Sequence, residues 1–267
     1  MEEEILFKIY ERVKLGETVA MAVITEEIGS SPRKSGSIMA VFNDHNILGT
    51  VGGGKIEYTI IQKALECIDK KENFHFEYQL NEKDLGMVCG GMVKGYIKVF
   101  YPKPRLIIAG AGHIGEKLYK IATALEFETV IVDERKDYAN KERFPLAEII
   151  INDITEELKN LHTTKNDYIV IVTHSHINDQ KTLETVINKE AAYIGMIGST
   201  RKVRHVMQEL IKDGISEEKL RMVYAPIGLN IASQLPEEIA LGILSEILLV
   251  KNNGSLNHKK NLKKVWD

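Results

Sequence analysis

Cysteine is scarce in this chain: Cys67 and Cys89 are the two present among 267 residues. They are too few and too far apart to staple a domain of this size or to build a structural zinc site. Proline is sparse as well, at six residues, and no segment repeats at a fixed period, which excludes collagen-like and low-complexity architectures. A basic excess is also missing. The formal net charge is −3 and the isoelectric point is near 6.3, which argues against a broad nucleic-acid-binding surface. No apolar run approaches the roughly 20 residues that span a bilayer. The opening segment MEEEILFKIYERVK is acidic where a secretion signal is basic. The expected setting is cytoplasmic and reducing, with neither nucleic acid nor membrane as a partner.

What is present suffices for a core. Hydrophobic residues make up 44% of the chain and charged residues 27%, enough apolar material to offset the entropy of folding. At roughly 100–200 residues per domain, the length predicts two domains. Pro102 and Pro104 bracket Lys103 and mark the boundary, because X-Pro steps disfavour continued helix. The expected division is 1–102 and 103–267.

The first part reads as α+β. Ile5, Leu6, Ile9, Tyr10 and Val13 recur at helical spacing and predict an amphipathic helix packed on that face. Strands are expected over 18–24, 37–42, 47–51, 74–80 and 96–101, with a helix over 55–69. After the prolines the pattern changes. Apolar runs at 105–109, 129–133, 149–151, 168–172, 192–197 and 221–224 alternate with helical stretches, and an apolar helix over 236–250 closes the series. That alternation implies an α/β domain with a doubly wound parallel sheet.

Gly110-Ala111-Gly112-His113-Ile114-Gly115 fits G-x-G-x-x-G, directly after a strand and at the start of a helix. In such a turn the first glycine permits the bend. The second lets backbone N–H groups approach a pyrophosphate, and the third lets helix and strand pack closely. Asp133 ends the next strand, where a carboxylate accepts hydrogen bonds from ribose hydroxyls and disfavours a 2′-phosphate. The motif predicts a Rossmann-like domain with NAD or a related dinucleotide as its cofactor. Thr173-His174-Ser175-His176 falls at the carboxyl end of the strand over 168–172, the edge on which parallel sheets carry ligands. No third ligand completes a metal site there, so His174 reads as a hydrogen-bonding residue and no metal is assigned. Arg201 comes after another strand-to-helix turn, where it either holds a phosphate or solvates a helix end.

Gly52-Gly53-Gly54 stands between a strand and a helix. Its N–H groups form a nest for an oxyanion, or the glycines serve close packing. Arg33 and Lys34, among Ser30, Ser31 and Ser35, add cations and hydroxyl donors suited to an anion. Cys89, with Gly90 and Gly91 after it, is either an accessible thiolate or a small buried apolar residue. Cys67 lies in the helical pattern and reads as core.

Together these residues resemble the xanthine dehydrogenase accessory proteins, the XdhC and CoxI family of molybdenum-cofactor maturation factors. The resemblance rests on GSSPRKSGSIMAV, GTVGGGKIE and GMVCGG in the first part. In the second it rests on IIAGAGHIG, VDER, YANKERFP, VTHSH, YIGMIGSTRK and APIGLNIASQLPEEIA. It implies a protein that binds molybdenum cofactor, a molybdopterin, supports its sulfuration and delivers it to a molybdenum hydroxylase such as xanthine dehydrogenase. It further implies a cysteine desulfurase as a partner and a homodimer. Arg33, Gly52, Gly53, Gly54, Cys89, Gly90 and Gly91 are the positions it ties to cofactor handling, with the Cys89 sulfur contacting the metal or taking part in sulfur transfer. The family pattern carries acidic residues closer to the THSH turn than Asn178-Asp179, so no metal or catalytic role passes to His174 or His176. The rival readings are an NAD-dependent oxidoreductase using the Rossmann crevice, with His174 as acid or base, and a nucleotide-sensing scaffold.

Overall fold

The structure, a computed structural model, describes residues 2–29, 34–79, 91–231 and 234–258, with His176 described in its backbone alone. The chain divides into two compact units, Met1–Pro102 and Lys103–Asp267.

The first unit contains α1 (Glu2–Lys14), β1 (Val19–Ile28), β2 (Ile38–Phe42), β3 (Ile47–Gly49), α2 (Gly54–Lys70), β4 (Phe74–Gln79) and β5 (Met92–Phe100). Its five strands form one antiparallel sheet in the order β3-β2-β1-β5-β4. Side chains alternate across a strand, so neighbouring residues serve opposite faces. Ala20, Ala22, Ile24, Met39 and Val41 pack under Ile56, Ile60 and Ala64 of α2, while Val19, Ala40 and Phe42 meet Ile5 and Ile9 of α1 on the other face. Leu6 and Tyr10 are 53% and 60% exposed, contrary to the expected apolar face of α1. The short strands β2 and β3 offer α1 a narrow surface, so one ridge of residues four apart fills it. β1 and β5 each run about four residues beyond the predicted limits. Their ladder continues past a bulge between Ile24 and Glu26, in a stretch where Lys94 pairs with Glu26 at 3.2 Å and breaks the apolar pattern.

The second unit contains β6 (Arg105–Ala109), α3 (His113–Ala124), β7 (Glu128–Val132), β8 (Glu148–Ile150), α4 (Ile154–Asn160), β9 (Asp167–Ile171), α5 (His176–Val186), β10 (Tyr193–Met196), α6 (Thr200–Lys212), α7 (Glu217–Arg221) and α8 (Pro236–Lys251). All pairings in the order β10-β9-β6-β7-β8 are parallel. Both faces are covered. Ile107, Val130, Ile169 and Ile171 meet Leu158, Leu183 and Leu210, while Ile108, Ile131 and Val170 meet Leu118, Ala122 and Ile243. Strands buried on both faces need continuous apolar runs, which is how they read in the sequence. The run 221–224 is the exception. Residues to Arg221 close α7, which Ser216 caps, and Tyr224 makes a single bridge to Gly195. Pro226 carries no N–H to extend a ladder further.

The chain builds β6, β7 and β8 outward in one direction, then returns to lay β9 and β10 on the other side. The carboxyl ends of β6 and β9 therefore flank the reversal point, where open parallel sheets form a crevice.

Candidate functional site

The turn after β6 lies at that crevice. At Gly110, with φ +119°, a Cβ would stand 2.4 Å from the Val172 carbonyl oxygen, and at Gly115 it would stand 2.1 Å from that of Gly110. Both positions exclude any side chain because backbone passes too close. Gly112 differs: a Cβ there meets nothing within 4 Å. It is the N-cap of α3, and among the described residues no side chain caps that helix. The first-turn N–H groups and the positive end of the helix dipole are therefore available to an anion approaching over Gly112. His113 begins the helix and is exposed. The arrangement of the residues present fits a pyrophosphate.

Arg143 fixes this turn from the side. Its guanidinium donates to the carbonyls of Ala111 at 2.8 Å and Tyr138 at 2.7 Å, and to Glu116 at 2.7 Å. Hydrogen bonds from Lys120 and Arg143 hold the Glu116 carboxyl down at about 2. No spacing or motif in the sequence singles out Arg143, although it lies in the YANKERFP segment.

Asp133 stands just past β7, but it turns inward. One carboxylate oxygen accepts from the Arg135 N–H and Nε, both at 2.9 Å; the other accepts from the Ala111 N–H and Arg135 Nη2, both at 2.7 Å. Burial works against the charge. The Arg135 guanidinium and the Ala111 and Arg135 N–H groups outweigh it and hold the carboxyl below its ordinary value. The expected carboxylate, open to ribose hydroxyls, is thus replaced by a buried one already supplied with donors. The arginine two residues further on is the signal that could have shown it.

The carboxyl ends of β9 and β10 line a cleft of about 360 Å³ that includes Thr173, His174, Asp179, Ser199 and Lys202. The buried Asp179 forms an ion pair with the partly buried Lys202. Asp179 also accepts from the Thr173 N–H at 3.1 Å and hydroxyl at 2.7 Å, and Lys202 donates to the Ile197 carbonyl at 3.0 Å. His174 Nε2 is 4.0 Å from Glu134. Arg201 lines a neighbouring cleft of about 530 Å³ with Gln180 and His205. Arg201 is exposed in the first turn of α6, and the cation that reaches the sheet edge is the next residue, Lys202. Among the described residues, no group of three His, Cys, Asp or Glu side chains could hold a metal.

In the first unit Gly52, Gly53 and Gly54 all have positive φ, and at Gly53 and Gly54 a Cβ would meet nothing within 4 Å. The turn has an internal acceptor. Glu57 takes the N–H groups of Val51 at 3.1 Å and Gly53 at 3.2 Å and the Thr50 hydroxyl, while Gly52 N–H donates to Thr50. The nest expected for an outside oxyanion is therefore occupied by a carboxylate from α2. Arg33, Cys89 and Gly90 lie outside the described residues; Gly91 is buried just before β5. Cys67 lies on the buried face of α2, where burial pushes its thiol up.

The class this defines is a two-unit α/β protein whose second unit is a Rossmann domain. Residues 106–247 match the model of the XdhC Rossmann domain, and residues 13–79 match that of the XdhC and CoxI family. The chain belongs to the XdhC family. It is 33% identical over 239 residues to the uncharacterised protein YqeB of Escherichia coli, covering 88% of this chain and 44% of that one. It is 29% identical over 154 residues to a probable xanthine dehydrogenase subunit of Bacillus subtilis, covering 57% of this chain and 44% of that one. The chain thus spans less than half the length of these two relatives. A crystal structure of a protein from Bacillus halodurans, described as a xanthine dehydrogenase, superposes with a TM-score of 0.53 at 22% identity over 94% of this chain and 96% of that one, a likeness of fold. Among the described residues, no helix is long and apolar enough to cross a membrane.

Proposed function

We propose that this chain is an accessory factor that binds molybdenum cofactor, supports its sulfuration and delivers it to a molybdenum hydroxylase of the xanthine dehydrogenase type. The observation that carries the reading is membership of the XdhC family, matched in both units. In this reading Arg33 and the Cys89-Gly90-Gly91 segment handle the cofactor: a cation suits its phosphate, and a thiolate suits its metal or sulfur. The Gly52–Gly54 turn contributes its backbone shape rather than its donors, because Thr50 and Glu57 already take the Gly52 and Gly53 N–H groups. A homodimer, and a cysteine desulfurase as sulfur source, belong to the same proposal.

The test is to purify the chain from cells with active molybdopterin synthesis and to identify the small molecules it releases. A released pterin, reduced severalfold by Cys89→Ala or Arg33→Ala, is the expected result; absence of any pterin from the wild type counts against the assignment.

The open Gly112 turn and the cleft bearing His174 favour a second reading for 103–267, a dinucleotide-binding unit. Turnover of NAD(H) with a small carbonyl or purine substrate would make it an oxidoreductase. Binding without turnover leaves it a nucleotide-responsive part of an accessory factor.

A further inference from the structure

The rim of the glycine turn bears on which dinucleotide would bind there, an inference that rests on the dinucleotide reading of 103–267. A carboxylate has about four lone-pair positions for hydrogen bonds. Asp133 uses four: two for the Arg135 N–H and Nε, one for Ala111 N–H and one for Arg135 Nη2. A ribose diol could bond to it only by expelling Arg135, which would strip a buried anion of its main partner. The group that reaches the surface at this point is therefore the cation. The Arg135 side chain is 28% exposed, and its guanidinium lies 4.1 Å from the centroid of the Tyr138 ring. Two of its five N–H groups point at Asp133. The other three make no hydrogen bond to the described residues and are set in the rigid fork that matches phosphate oxygens. The neighbouring acid, Glu134, stands opposite His174.

We infer that Arg135, seated on Asp133 and stacked on Tyr138, makes the glycine-turn site selective for a dinucleotide with a 2′-phosphate on its adenosine ribose over one with a free 2′-hydroxyl. Asp133 is then a positioning residue, holding the arginine and the turn together through Ala111, and the discrimination comes from the guanidinium.

The full-length protein is titrated with NADPH and with NADH, with nucleotide fluorescence as the signal, and 2′,5′-ADP and ADP are compared as competitors. The expected result is NADPH binding at least about tenfold tighter than NADH, with 2′,5′-ADP the better competitor, a gain of about 1.4 kcal/mol. Arg135→Ala leaves a buried carboxylate without its partner and risks the fold. Two further variants avoid this: the double substitution Asp133→Asn with Arg135→Gln removes both charges together, and Tyr138→Ala removes the stacking ring, 4.1 Å from the Arg135 guanidinium and 5.4 Å from that of Arg143, while leaving both arginines in place. The double variant is expected to bind the two nucleotides equally, and Tyr138→Ala to lose severalfold affinity for NADPH with little change for NADH. Equal or tighter binding of NADH by the wild type overturns the inference while leaving the dinucleotide reading intact. Discrimination that survives in the double variant also overturns it. Binding of neither nucleotide removes the dinucleotide reading and the inference together.

Discussion

The glycine turns that precede α2 and α3 are finished in opposite ways. In the first unit, Glu57 of α2 reaches back to the Val51 and Gly53 N–H groups, so the turn supplies its own anion. In the second unit no side chain of the described residues caps α3, and a Cβ at Gly112 would meet nothing within 4 Å. The lesson is that glycines at a helix start define a shape. Whether that shape receives a ligand depends on where the nearest carboxylate sits.

The largest expected effect tests the closed geometry of the Rossmann turn. Gly115→Ala places a Cβ against the Gly110 carbonyl and is expected to destabilise the 103–267 unit by on the order of 4 kcal/mol, read from thermal unfolding. Gly112→Ala has room and an ordinary extended backbone, so its melt stays within about 0.5 kcal/mol of wild type while dinucleotide affinity falls. If the two variants melt alike, the distinction between packing and ligand-facing glycines fails.

Next comes the ion pair beside that turn. Lys202→Met leaves Asp179 buried without its cation and is expected to cost about 3 kcal/mol in denaturant unfolding. Adding Asp179→Asn should restore much of the loss, and no recovery would mean that Lys202 acts through packing rather than charge.

The self-capped turn responds less. Glu57→Ala strips the acceptor from two N–H groups and is expected to cost about 1–2 kcal/mol. Should the variant instead bind inorganic phosphate, where wild type does not, the two turns differ only by their occupant.

The smallest effect is one of pH. The Glu116 carboxyl sits at about 2 in the folded protein, held by Lys120 and Arg143, against an ordinary value of 4.5. Its contribution is complete above about 4.5 and is lost as pH falls from there towards 2. Exposure of Lys120 limits it to about 1 kcal/mol. Acid unfolding of Glu116→Gln should therefore begin from a lower plateau and show a shallower slope over that interval; an unchanged slope would assign the acid sensitivity to other carboxylates.

Much of the second unit is legible in the sequence because burial on both sheet faces forces continuous apolar runs, and the glycine spacing reports a backbone constraint directly. The parallel sheet and the Rossmann turn come from those two signals. Legibility fails where the deciding partner is distant or polar. Leu6 and Tyr10 have the spacing of a buried face, but the small area of β2 and β3 leaves them outside. Tyr224 sits in an apolar run that α7 and Pro226 prevent from becoming a strand. Asp133 stands at the expected strand end, yet its role depends on Arg135 folding back two residues. Glu57, Arg143 and Lys202 are ordinary charged residues in sequence, and only tertiary structure brings them to the turns they complete.

The bond from the Ala111 N–H to Asp133, together with that from Arg143 to the Ala111 carbonyl, holds both polar groups of one peptide residue in the Rossmann turn. A loop pinned on both sides has little freedom left to lose. Capture of a nucleotide there should proceed on a preorganised surface, with a modest entropic penalty and an association rate set by encounter rather than by loop rearrangement.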